Sequence, residues 1–219
     1  MNRSERRVIG CGIAICLFLI GSLLFVFLGG FEALVGLFDN PEKSIRRELE
    51  LMRSLKINYL ELYCTRNTDK RILLLKNESD VEELVLTMTD VSAEGVSSLA
   101  GIPRLRGLEL YAGKNVNDAA LAKLDQLPKL EELVLRNCKI TNAGLVSLKN
   151  LEHLRRMTIF QDHPDLKGLS DGAVDSLESL TNLTELRLVG DWVSEQGIDR
   201  LKKSLPKCVV SRNERRLLR

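Results

Sequence analysis

The apolar positions of this chain fall into one phrase that recurs six times: Ile57-x-x-Leu60-x-Leu62, Val81-x-x-Leu84-x-Leu86, Leu105-x-x-Leu108-x-Leu110, Leu130-x-x-Leu133-x-Leu135, Leu154-x-x-Met157-x-Ile159 and Leu183-x-x-Leu186-x-Leu188. Its last two apolar residues alternate at period two, which predicts a short strand with one buried face. The middle residues of the six phrases are spaced 24, 24, 25, 24 and 29 residues apart. The fullest copy runs on through Arg136-Asn137-Cys138-Lys139-Ile140, where Cys138 marks the turn off the strand and Ile140 returns to the interior.

The second half of each unit repeats as well. Val91-Ser92, Val116-Asn117, Ile140-Thr141, Leu169-Ser170 and Val193-Ser194 each end in a residue able to cap a helix. Three residues after the cap come Gly95, Ala120, Gly144, Ala173 and Gly197, small as a close approach of helix to strand requires. Val96, Leu121, Leu145, Val174 and Ile198 follow, and three residues further on stand Leu99, Leu124, Leu148, Leu177 and Leu201. That spacing puts both sets on one helical face. The predicted unit is therefore strand, turn, short helix and return loop. The first unit is degenerate: Thr68 is its candidate cap, Arg71 takes the small-residue place, and Ile72–Leu75 is readable as a further strand. The fifth is longer, with its excess around Gln161–Gly168. Leu205-Pro206-Lys207-Cys208-Val209-Val210 reads as a last edge strand.

Ahead of the units, Asn40-Pro41-Glu42 looks like a helix start, with asparagine as cap and proline at the first position. Ile45, Leu49 and Met52 share a face, so a helix over about 41–54 is expected to cover the open apolar end of the row. From Val8 to Leu28 there is no charged residue, a run of 21. About 20 apolar residues cross a bilayer as a helix. The run reads as a membrane anchor. A cleaved signal peptide is the alternative, against which stand the length of the run and the lack of an A-x-A site. Arg3, Arg6 and Arg7 before the run, with Glu32 and Asp39 the first charges after it, orient the N-terminus to the cytoplasm and export the repeats. The expected organisation is an anchor at 1–38, a linker and capping helix at 39–56, about six units at 57–210 and a basic tail at 211–219.

Charge changes this picture little. Of 219 residues 28% are charged, and the formal net charge is +2, so nothing points to nucleic acid. The five cysteines, Cys11, Cys16, Cys64, Cys138 and Cys208, form no C-x-x-C pair, and the last three read as structural thiols. His163 lies near Asp162 and Asp165, but three such residues within four positions are not a recognised metal site, and His153 reads as a loop residue. No phosphate-binding loop, dinucleotide turn, H-E-x-x-H or G-x-S-x-G occurs. No cofactor, metal or catalytic residue is expected.

The phrase Leu130–Ile140, the segment Ile140-Thr141-Asn142-Ala143-Gly144-Leu145 and the ending Leu205-Pro206-Lys207-Cys208-Val209 resemble the cysteine-containing, ribonuclease-inhibitor-like class of leucine-rich repeats. Such repeats occur in eukaryotic F-box adaptors and, behind membrane anchors, in planctomycete bacteria. The chain is more similar to the second group. The resemblance implies an α/β solenoid, short parallel strands on a concave face and helices on a convex one, with protein binding as the usual role. On that face the side chains beside the buried leucines point outward. Tyr63, Tyr111 and Phe160 share a column with Arg136, and Glu109 and Arg187 lie beside it. Aromatics and arginine anchor protein interfaces, so Tyr63, Glu109, Tyr111, Arg136, Phe160 and Arg187 form the candidate binding surface. The expected function is a membrane-anchored, non-catalytic interaction module for an unknown protein partner, with a secreted repeat protein or a structural envelope component as alternatives.

Overall fold

The structure, a computed structural model, describes residues 40–63, 67–111 and 115–213. The expected anchor at 8–28 and Cys64 lie outside these residues, and among the described residues no helix is long and apolar enough to cross a membrane. Contacts divide the chain after Asn40, and Pro41–Arg219 is the repeat body.

That body opens with helix α1, Pro41–Ser54. The predicted face is the buried one: Ile45, Leu49 and Met52 join the core at one end of the row. Arg53 ties the helix to the first unit through Glu78 and Asp80, each 2.8 Å away. These groups are exposed to solvent, so the pairs add little and the apolar stripe does the holding.

Seven five-residue strands follow: β1 Tyr59–Tyr63, β2 Glu83–Thr87, β3 Gly107–Tyr111, β4 Glu132–Arg136, β5 Arg156–Phe160, β6 Glu185–Val189 and β7 Val209–Asn213. They form one parallel sheet in chain order, each strand hydrogen-bonded to the next. The register never slips. Leu60, Leu84, Leu108, Leu133, Met157, Leu186 and Val210 form one row, and Leu62, Leu86, Leu110, Leu135, Ile159 and Leu188 form another. All thirteen side chains are buried. A slip of one residue would turn both rows outward, so burial of the leucines sets the pairing. β7 runs to Asn213, three residues into the stretch read as tail.

Between strands run short helices on the other side of the core: α2 Thr68–Leu74, α3 Ala93–Ser98, α4 Asp118–Ala122, α5 Asn142–Leu145, α6 Val174–Glu178 and α7 Glu195–Ser204, several passing into 3-10 turns. Ile72–Leu75 is therefore not a strand but falls in and just after α2, because Ile72 and Leu75 pack inward at helical spacing. Ser92, Asn117, Thr141, Ser170 and Ser194 cap as expected, each side chain accepting from an N–H two or three residues on. Thr68 does not: the residue before α2 is Asn67, at φ 56°, and makes no side-chain cap. Asp90 of the next unit supplies the acceptor instead, taking the N–H groups of Asn67 and Thr68 at 3.0 and 2.9 Å.

The small residues after the caps have a different cause from the one expected. Asp69 accepts from the Ser92 N–H and hydroxyl at 2.9 and 2.6 Å, and Asp118 from the Thr141 N–H and hydroxyl at 2.8 and 2.6 Å. Asp171 accepts from the Ser194 N–H at 2.7 Å. Each carboxylate thus reaches forward to the start of the next unit's helix, where the unpaired N–H groups favour negative charge. A Cβ built on Gly95 or Gly144 would overlap the Oδ1 of Asp69 or Asp118, and one on Gly197 would come 2.8 Å from that of Asp171. Where the preceding unit offers Ala93 or Asn142 at that place, the next unit carries Ala120 or Ala173. The neighbouring unit's carboxylate, not the strand, therefore demands the missing side chain.

Turns off the strands also differ in detail. Asn137, at φ 48°, makes the turn after β4, while Cys138 is buried below it. The long fifth unit keeps its register by folding its excess outward at 161–168. Gln161 is buried there and donates to the Cys138 carbonyl at 2.8 Å. The Asp162 N–H donates to Asn137 Oδ1 at 3.1 Å. Gly168 presses so closely on the Ile140 carbonyl that no Cβ fits.

Candidate functional site

The face of the sheet turned away from the helices carries three columns of side chains, the odd positions of each strand. The column along the strand ends is Tyr63, Thr87, Tyr111, Arg136, Phe160, Val189 and Asn213. The sheet thus places Tyr63, Tyr111, Arg136 and Phe160 as expected, although the Tyr63 side chain lies outside what the structure describes. The middle column is Glu61, Val85, Glu109, Val134, Thr158, Arg187 and Ser211. It holds Glu109 and Arg187.

Three of the expected residues meet, and a fourth, Tyr111, stands beside them in register. Arg136 Nε lies 2.8 Å from Glu109 Oε1 on the neighbouring strand, and the guanidinium carbon stands 5.6 Å from the centre of the Phe160 ring on the other. Cation–π contact acts within about 6 Å and contributes roughly 0.5–1 kcal/mol at an exposed site. Tyr111, directly across from Arg136 in the register, is 37% exposed. Arg136 is thus gripped from both sides on an otherwise open surface. Arg187 stands apart from this group. It lies across from Thr158 and pairs with Glu185 of its own strand at 2.8 Å.

The face is also less open than alternation alone suggests. Val85, Thr87 and Val134 point away from the helices yet are buried. Part of this cover is the Glu61 side chain, which accepts from the Tyr59 and Thr87 hydroxyls at 3.2 Å each. Charge is graded along the face. Glu61, Glu83 and Glu109 are the charged residues of β1–β3, whereas the three columns carry Arg136, Arg156 and Arg187 on β4–β6 beside Glu132 and Glu185. Arg156 bonds Glu132 on the strand before it at 2.9 Å.

One residue of the site was not anticipated. Met88 follows β2, is 53% exposed, and donates its N–H to the Tyr111 carbonyl at 2.8 Å. Its φ is 52°, close to the 48° of Asn137, and Gly190 is also at positive φ, 118°; these hold the same place after β4 and β6. Asparagine and glycine suit that conformation, and methionine does not. The residues at this place in the other units vary, Cys64, Ala112, Asn137, Gln161 and Gly190, so the sequence held no signal for it. An exposed, adaptable thioether suits an interface.

Chemistry elsewhere is quiet. Burial pushes the Cys138 thiol up to about 12, and its S–H donates to the carbonyls of Leu110 and Arg136, so it is held protonated. His163 Nδ1 accepts from the Asp165 N–H at 3.3 Å, and no group of side chains among the described residues is placed to hold a metal ion.

The comparisons bear on the repeat itself. A family model described as leucine-rich repeat matches residues 126–149, the unit containing β4. No curated protein matches the chain. Among solved structures, the crystal structure of an internalin from Listeria monocytogenes is similar over 67% of this chain and 39% of its own length, with 19% identity and a TM-score of 0.41. The unit at residues 126–149 thus matches a leucine-rich repeat, and the units on either side repeat its buried leucines, its short helix and its place in a single parallel sheet.

Proposed function

We propose that this protein is a non-catalytic interaction module that binds a protein partner on the helix-free face of its sheet, with the apolar run at 8–28 tethering it to a membrane. The observation that carries the first half is Arg136, held between Glu109 and Phe160 beside the exposed Tyr111 and Met88. Interfaces draw most of their energy from a few aromatic and arginine side chains fixed before the partner arrives. Leucine-rich repeats supply such surfaces as rigid, strand-borne arrays. The tether rests on the sequence alone, on a run without charge that is long enough to span. Three arginines precede it, so the repeats face the exported side.

The test of the surface is cross-linking in the native cell, followed by capture of the identified neighbour with purified protein. Alanine at Tyr111, Arg136 and Phe160 together is expected to abolish that capture. Undiminished capture refutes the site. The tether is tested by fractionating cells that make the full chain or a version lacking residues 1–38. The full chain is expected in the membrane fraction and the shortened one outside it.

A further inference from the structure

We infer that the Arg136 end of the face recognises a carboxylate, an Asp or Glu side chain of the partner flanked by an apolar residue; this rests on the reading of the face as a protein-binding surface. A guanidinium offers five N–H donors in a rigid plane. At Arg136 the Nε is buried and faces Glu109, and the guanidinium carbon lies over the Phe160 ring at 5.6 Å. Among the described residues no hydrogen bond or ion pair engages either Nη, yet the side chain is 39% exposed. The outer edge of the plane therefore presents its donors to solvent in a direction set by the two grips on the other side. That edge matches the two oxygens of a carboxylate.

The neighbours decide which anion and what accompanies it. Glu109 stands beside the same guanidinium, so a second negative group meets repulsion that grows with its charge. A singly charged carboxylate is therefore favoured over a phosphate monoester, which carries nearly two charges. Arg187 gives a second donor on β6. Its pair with Glu185 is half exposed on both sides, so it exchanges partners readily. Met88 and Tyr111 extend the strip on the other side of Arg136 and offer contact to an aliphatic or aromatic neighbour. Glu61 and Glu83 lie beyond, on β1 and β2, and disfavour an acid at that end. The partner segment therefore lies with its acid toward β4–β6. Glu109, Arg136, Glu185 and Arg187 sum to no formal charge, so recognition acts by directed bonds at contact and not by long-range attraction.

The experiment displays random dodecapeptides on phage and selects them on the full-length chain. Enriched peptides are expected to carry Asp or Glu next to an apolar residue. Replacing that acid with Asn or Gln in a synthetic, fluorescein-labelled copy is expected to weaken binding about tenfold or more. Arg136→Lys keeps the charge but loses the fork, and is expected to erase the difference between acid and amide peptides while its unfolding midpoint stays at the wild-type value. Equal binding of acid and amide peptides to the wild-type chain overturns the inference, as does a selection that enriches nothing. Peptides that bind the Tyr111, Arg136 and Phe160 triple alanine variant as well as the wild type overturn the reading of the face itself.

Discussion

Substituting Gly144 by alanine tests how the units are joined. In an ordinary helix that change is favourable by about 1 kcal/mol. Here the new Cβ would overlap Asp118 Oδ1 and lie 2.6 Å from its Cγ. The carboxylate must leave, and with it go two bonds from Thr141, at 2.8 and 2.6 Å. Hydrogen bonds to a charged group contribute about 1.5–3 kcal/mol each when sheltered, and these are largely exposed, so roughly 1–1.5 each is the fitting range. Loss of the charge at a helix start adds about 0.3–1 kcal/mol. Gly144→Ala is therefore expected to destabilise by about 1.5–3 kcal/mol net of its helical gain. Asp118→Ala removes the same bonds by itself. In that background the obstacle is gone, and Gly144→Ala is expected to stabilise by up to about 1 kcal/mol. The sign of one substitution thus inverts with the residue of another unit, a coupling of about 2–4 kcal/mol. Urea unfolding followed by far-UV circular dichroism reads it as a midpoint shift at constant slope. An equal effect of Gly144→Ala in both backgrounds would refute the idea that the carboxylate sets the small residue.

Three further outcomes follow from single sites. Met88→Gly is expected to raise the unfolding midpoint, by about 1 kcal/mol, because it relieves a positive φ on an exposed side chain. Met88→Ala should give no such gain. Hydrogen bonds from the Ser194 hydroxyl and N–H hold the Asp171 carboxyl below the usual carboxylate range, and at Asp90 the bonds from Thr68 and Asn67 do so despite opposing burial. Both contributions are present in full above about pH 4 and vanish as pH falls through the lower folded values, so Asp171→Asn should flatten the acid limb of the stability profile. The Cys138 thiol, pushed up to about 12, should resist iodoacetamide at pH 8 until urea unfolds the row, while the half-buried Cys208 reacts earlier; peptide mass spectrometry separates the two.

Much of this architecture is local and therefore legible along the chain. An L-x-L pair at a period near 24 residues can bury its leucines in one way, as a strand in step with its neighbours, and the register Leu84↔Leu108↔Leu133 follows that spacing. Caps and inward helical residues repeat because each unit meets the same backbone needs, and Ile45, Leu49 and Met52 announced their helix by spacing alone. The column of Tyr111, Arg136 and Phe160 was likewise legible, since alternation along a strand and constant register between strands fix which side chains line up.

What passed between units was decided only in three dimensions. Asp118 and Gly144 are far apart in sequence, and nothing local says that one fills the space the other vacates. Asp90 serving a helix start in the preceding unit, and Glu109 gripping Arg136, are contacts of the same kind. Whether Val85 and Val134 were covered, whether Arg187 joined the cluster or turned to Glu185, and whether Met88 stood exposed depended on side chains from adjacent strands competing for one surface. Periodicity specifies which way a residue points. The partner it finds there is chosen by the neighbouring unit, because hydrogen bonds and ion pairs act over a few ångströms of space regardless of how much chain lies between.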